Sequence, residues 1–257
     1  MDEGTVEDWA HAYIATASLD HKLAPPPLPD RWMNAAPIRI AAPGRPSELD
    51  VRPRAPKMRS LATEEGRAQA LATFLHHELQ AAELMAWAVL AFADAPLAFR
   101  RGLARIALDE VRHMSMYRAH MQGLGFDVGD FPVRDWFWER VPTSRDPASF
   151  VAVMGLGLES ANLEHAASFA AKFREAGDEA GAQLQERVGA EEIGHVSFGA
   201  KWFATFTGTL SFDAWKRALP EPLSPMLMRG TPIRREARRL AGQPDDFIDE
   251  LEAWTPA

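Results

Sequence analysis

The sequence predicts an all-α fold: a four-helix bundle with one long crossover, a proline-rich strap before it and short helices after it. Three observations predict this. Apolar residues recur at helical spacing through four long stretches. The tetrad Glu110-Val111-Arg112-His113 is echoed by Glu192-Ile193-Gly194-His195, with Glu78 lying 32 residues before the first and Glu159 lying 33 before the second. Nine of the 19 prolines fall between Pro25 and Pro56, where a helix cannot continue. The expected division is 1–60 for an N-terminal helix and strap, 61–207 for the bundle, and 208–257 for a C-terminal helical extension.

In chain order, residues 3 to 20 suit a short helix with Trp9, Tyr13 and Ile14 on one side. The strap follows, and its scattered apolar residues Trp32, Met33 and Ile38 are expected to anchor it across the bundle. The first long helix runs from Ala62 to about Phe92, with Leu71, Phe74, Leu75, Glu78, Ala82, Met85 and Val89 on its inner stripe. A glutamate in that stripe is costly unless a partner offsets its desolvation. Pro96 closes a turn, and the second helix reaches about Met121 with Ile106, Glu110, His113 and Tyr117 inward; Gly123-Leu124-Gly125 ends it. Residues 126 to 145 form the crossover. Asp146-Pro147 opens the third helix as a cap followed by proline in the first turn. It carries Gly155, Glu159 and Asn162 on one face, and Gly177 breaks it before a fourth helix with Val188, Glu192, His195 and Gly199 inward. Shorter helices are expected over 212–219, 232–241 and 245–254.

The spacing of the glutamates has a geometric meaning. The midpoint between Glu78 and Glu110 falls in Ala93-Asp94-Ala95-Pro96, and that between Glu159 and Glu192 falls beside Ala176-Gly177-Asp178. A helical hairpin folded at either midpoint sets its upstream glutamate level with the Glu-x-x-His on the opposite arm, where residues three apart share a face. Two such hairpins together offer four carboxylates and two imidazoles: Glu78, Glu110, His113, Glu159, Glu192 and His195. That is the ligand set of di-metal carboxylate bundles. Two divalent ions would balance four glutamates, whereas the empty cluster would repel itself.

Composition narrows the chemistry. With no cysteine, disulfides and thiolate sites are excluded, and oxygen plus imidazole donors favour iron, with manganese second, over structural zinc. A net charge of −8 argues against a general nucleic-acid coat. The acidic start lacks the apolar core of a signal peptide, and no apolar run is long enough to cross a bilayer. The expectation is a soluble cytoplasmic protein.

His77-Glu78-Leu79-Gln80-Ala81, Asp109-Glu110-Val111-Arg112-His113, Gly157-Leu158-Glu159 and Glu191-Glu192-Ile193-Gly194-His195-Val196 resemble the ferritin-like di-iron superfamily over roughly residues 65 to 205. Together with Pro43-Gly44-Arg45-Pro46 they look most like the bacterial ferritin-like family filed as domain of unknown function 455. The resemblance implies that Glu110 and Glu192 bridge the two metals, that Glu78 and Glu159 are terminal, and that His113 and His195 serve one metal each. It also implies that Asp109 orients His195 and Glu191 orients His113 by hydrogen bonding; two solvated helix charges are the plainer reading. Tyr117 matches the spacing of the radical tyrosine in ribonucleotide reductase small subunits, but a buried tyrosine with its hydroxyl engaged, or one lining a pocket, explains it more simply. Asn162 stands where rubrerythrin-like peroxidases tend to have another carboxylate.

Other residues admit two readings each. Glu83 and Glu164 are expected between helices or facing solvent, and one of His76 and His77 could support Glu78. Ala81, Ala82, Gly155 and Gly199 either leave room for oxygen and a substrate or let helices pack closely. Arg229, Arg234, Arg235, Arg238 and Arg239 are expected to pair with Asp245, Asp246 and Asp249. The alternative is a tRNA footprint, since the superfamily includes a tRNA-hydroxylating enzyme. The leading function is a non-haem di-metal oxidoreductase that uses O2 to oxidise or hydroxylate a small organic substrate, with a redox partner and a possible homodimer. The alternatives are metal handling (ferroxidase, iron storage or peroxide defence) and a metal-stabilised structural bundle. The long segments flanking the bundle suit a covered substrate pocket or a dimer interface better than a storage cage.

Overall fold

Six helices begin at a side-chain cap. Thr5, Ser18, Thr63, Asp146, Asp178 and Ser211 each accept a hydrogen bond from the backbone N–H three residues on. They open α1 (Val6–Ala15), α2 (Leu19–Leu23), α3 (Glu64–Ala91), α5 (Pro147–Val153), α7 (Glu179–Thr207) and α8 (Phe212–Ala218). The others are α4 (Leu97–Gly123), α6 (Ser160–Glu175), α9 (Arg235–Leu240) and α10 (Asp245–Ala253). This computed structural model describes residues 4–33, 36–54 and 56–256. Among them there is no strand, only an isolated parallel bridge between Val51 and Val133. The fold is all-α, and it divides into two compact units, Met1–Pro142 and Thr143–Ala257.

In the first unit α3 and α4 form an antiparallel hairpin that turns through Ala93-Asp94-Ala95-Pro96. Helix α3 is buried on nearly every side, because α4, α1 and the strap cover different faces of it. The helix expected over 3–20 is two helices, with the chain leaving helical geometry at Thr16 and the Ser18 cap restarting it; its expected start at Glu3 lies outside the described residues. The strap is extended and held through its backbone. Ile38 N–H donates to Leu90 at 3.0 Å, Trp87 Nε1 donates to the Ile40 carbonyl at 3.0 Å, and Gly44 N–H donates to Ile14 at 2.8 Å. A Cβ on Gly44 would lie 2.2 Å from the Ala15 carbonyl oxygen, so only glycine allows this approach. The side chains of Met33 and Ile38 are not anchors: both are exposed, and of the three expected side chains only that of Trp32 is half-buried, under the Arg100 guanidinium. Hydrogen bonding, which leaves no periodic signature in sequence, does the anchoring instead.

A buried polar cluster locks strap and crossover onto α3. The Glu83 carboxylate meets Lys22 Nζ at 2.7 Å, Arg45 Nη1 at 2.6 Å and Trp138 Nε1 at 2.7 Å. Arg45 also reaches Asp135 at 2.9 Å, and His76 Nε2 contacts the same carboxylate at 2.9 Å. Glu83 is therefore neither solvent-facing nor idle. It neutralises two cations, Lys22 of α2 and Arg45 of the strap, which offsets the cost of its own burial.

In the second unit the third helix starts at Pro147 behind a capping box formed by Asp146 and Ser149. It does not run on as a uniform α-helix, because Met154–Glu159 is π-helical between α5 and α6. Helices α6 and α7 form the second hairpin, turning at Gly177 with φ of 79°. Gly155 and Gly199 are in backbone contact: a Cβ on either would lie 2.7 Å from the other's Cα. For this pair, close packing is the reason for small residues. Trp215 donates to the Ala152 carbonyl at 2.9 Å and groups with Phe212 and Phe247, fixing α8 and α10 to the unit.

The expected arginine face needs correction at Arg238, which is fully buried rather than solvated. It grips Glu164 through Nη2 at 2.6 Å and Nε at 2.9 Å, and Gly230 N–H and Arg234 N–H donate to the same carboxylate. Arg235 and Arg239 do pair with Asp249 and Asp245, while Arg229 binds backbone carbonyls of Glu252 and Trp254. Glu164, like Glu83, is an interior clamp.

Candidate metal centre

Each unit assembles half of the expected ligand set on its own hairpin. In the first, Glu78 projects from the middle of α3 toward Glu110 and His113 on α4, and one ligand atom from each lies within 4.8 Å of the others. In the second, Glu159, Glu192 and His195 meet the same 4.8 Å limit. All six are buried, with exposures from 0% to 5%. The internal geometry repeats as well: His113 Nδ1 contacts Glu110 Oε2 at 2.9 Å, and His195 Nδ1 contacts Glu192 Oε2 at 2.9 Å. The i,i+3 spacing on a straight helix dictates that equality.

The donor chemistry fits a hard or borderline cation. Every candidate ligand is a carboxylate oxygen or an imidazole nitrogen held away from water, a setting in which an unneutralised carboxylate is costly. These buried clusters could bind metal ions.

The surroundings of the two triads differ. Glu159 closes the π-helical stretch, a distortion that concentrates at functional sites because it re-aims a side chain within a helix. Nothing in the hydrophobic period signals it; the Gly155-Leu156-Gly157 run just before Glu159 is the only local hint. Asn162 Nδ2 donates to Glu192 Oε1 at 3.3 Å, so an amide rather than a further carboxylate stands against this candidate ligand. Tyr117 is buried in the first unit, its ring 5.6 Å from that of Phe74. Asp109 and Glu191 are partly exposed, and each reaches an arginine of its own helix, Arg112 at 3.4 Å and Arg187 at 3.3 Å. His76 and His77 both serve the crossover, the first through Asp135 and the second by stacking on Phe137 at 4.9 Å. No helix among the described residues is long and apolar enough to cross a membrane.

Fold and site define a class, an all-helical protein with buried carboxylate–imidazole clusters suited to metal. The chain belongs to the family described as "Protein of unknown function (DUF455)", which matches residues 5–249. A relative in Haemophilus influenzae, described as "Uncharacterized protein", is 31% identical over 217 residues, covering 79% of this chain and 75% of its own. No solved structure matches.

Proposed function

We propose that the two triads act together as one dinuclear centre, iron first and manganese second, in a ferritin-like four-helix bundle over 61–207. On this reading the protein is an oxidoreductase that uses O2 to oxidise or hydroxylate a small organic substrate, with electrons from a redox partner. One observation carries it: two buried Glu/Glu/His triads, one on each of two successive hairpins. A chance metal site would have no reason to repeat.

When bound, a metal pair supplies O2 binding and reduction. The chain's own buried residues would hold it and keep it dry. By the ferritin-like resemblance Glu110 and Glu192 would be the carboxylates shared by the pair, Glu78 and Glu159 would each serve one ion, and His113 and His195 would each give an ion a neutral nitrogen. Asp109 and Glu191 would fix the ring orientation of His195 and His113. Tyr117, buried on the same face of α4 as His113, is the candidate pocket residue.

The test is metal content followed by turnover. Protein reconstituted anaerobically with ferrous iron should hold two ions per chain and consume O2 catalytically with a chemical reductant. Glu192→Ala should abolish both. Uptake of tens of irons per chain into a mineral would establish storage instead, and full loading with no reaction toward O2 would leave only a structural role. A stoichiometry of one or less removes the dinuclear reading.

A further inference from the structure

Ser160 follows Glu159 directly and joins the π-helical stretch to α6. The segment after α8 reaches it through a chain of buried polar groups. Gly242, at a φ of 84°, ends α9 in a left-handed turn, where Gly242 N–H donates to Arg239 at 2.9 Å and Gln243 N–H donates to Arg238 at 3.0 Å. That turn brings the Gln243 side chain back to Arg238. Arg238 Nη1 donates to Gln243 Oε1 at 3.1 Å, and because a guanidinium can only donate, the amide must present its Nε2 elsewhere. Nε2 donates to Ser160 Oγ at 2.6 Å. The hydroxyl accepts that bond and turns its own hydrogen toward the Gly155 carbonyl, 3.4 Å away near the start of the π-helical stretch. Arg238 Nη2 also donates to the Ser160 carbonyl at 3.3 Å. Met228 covers the stretch between these points: a Cβ on Gly157 would lie 2.6 Å from its Sδ.

Ser160, Arg238, Gln243 and Met228 are all buried. A buried polar chain is costly unless its members are met, and a fully met one specifies a single arrangement. Covering α6 would need only apolar side chains, whereas these donors are aimed at the two ends of the π-helical stretch. A π turn holds one residue more than the α turn it displaces. Reversion to α geometry would rotate the chain on either side by about 100°, one residue's worth, and move Glu159 with it. We infer that Ser160, Gln243 and Arg238 are positioning residues for Glu159: the C-terminal extension holds the π-helical stretch and, through it, the aim of a candidate metal ligand. This rests on the metal reading of the Glu159, Glu192 and His195 triad and gives the extension a task there. The triad binds its ion tightly only with α9 and Gln243 seated on Ser160.

Titration of the full-length protein with cobalt(II), followed by visible absorption, tests this, because the ligand-field bands report coordination geometry as well as affinity. Ser160→Ala and Gln243→Leu should each weaken cobalt binding about tenfold, the loss typical of a group that orients a metal ligand, and should change the band shape. The double variant should lose no more than either single one, since both break the same chain of hydrogen bonds. Ser160→Ala removes one oxygen and carries the test alone if Gln243→Leu does not fold. Phe173→Leu, in the core near the far end of α6, controls for destabilisation: its melting temperature should fall while cobalt affinity and spectrum stay as in the wild type. Wild-type affinity and spectrum in Ser160→Ala, additive losses in the double variant, or an equal loss in Phe173→Leu would overturn the inference and leave the metal reading standing. Wild-type protein that takes up no cobalt would overturn both.

Discussion

Glu83 shows how one residue can hold together three distant pieces of chain. Its carboxylate is the shared counter-charge of Lys22 and Arg45 and the acceptor of Trp138, all in the interior. Glu83→Gln keeps the shape but leaves two cations under-neutralised. Loss of one partner of a buried pair costs about 3–5 kcal/mol, and a drop of that size in urea unfolding is expected. A surface substitution such as Arg174→Gln should change little. Asp135 adds a pH dependence. Burial alone would raise its pKa, but hydrogen bonds from His76 and Arg45 outweigh it and bring it from 3.8 to about 2. The folded state then gains stability that is complete above about pH 4 and disappears as pH falls through about 2. Asp135→Asn should flatten that part of the stability profile, read from denaturant midpoints across the window.

At the scale of elements, the helices were legible where local chemistry sets them. The Asp146-Pro147 cap, the Gly177 turn and the two hairpin midpoints stand in the structure where periodicity and turn residues put them. What escaped was set by contacts distant in sequence. The π-helical stretch is one such element, the burial of Arg238 on Glu164 is another, and the backbone-held strap is a third. None of these alters a hydrophobic period. The candidate ligands were readable for the opposite reason, since their chemistry demands fixed residue types at fixed helical spacing. The π-helix gives the sharpest test of an element's role. Gly155→Ala would place a Cβ 2.7 Å from Gly199 Cα, backbone that cannot swing away. The α5–α7 contact must open, at a cost of about 1–3 kcal/mol. Glu159, at the end of the same stretch, should shift with it, so metal affinity should fall along with the melting temperature. An unchanged affinity in a destabilised protein would show that the π-helical stretch serves packing only.

For the whole molecule, the question is whether two units act as one. The proposed centre takes three ligands from residues before Pro142 and three from residues after it, so metal binding would couple the unfolding of the two units. A ligand bound only by the native state stabilises by RT ln(1+[L]/Kd), about 2.7 kcal/mol at a hundredfold excess over Kd. If both ions depend on both triads, that gain is shared, and Glu78→Ala in the first unit should remove protection from the second as well. Scanning calorimetry of the chelated and the metal-loaded protein reads this directly. The loaded wild type should unfold at a higher temperature in a single transition, and Glu78→Ala should return the whole profile toward the chelated one. Hydrogen exchange at α7 makes the same measurement locally, with protection near Glu192 falling in Glu78→Ala. Were each triad to bind its own ion independently, Glu78→Ala would leave exchange at α7 unchanged, and the single dinuclear centre would have to give way to two separate mononuclear sites.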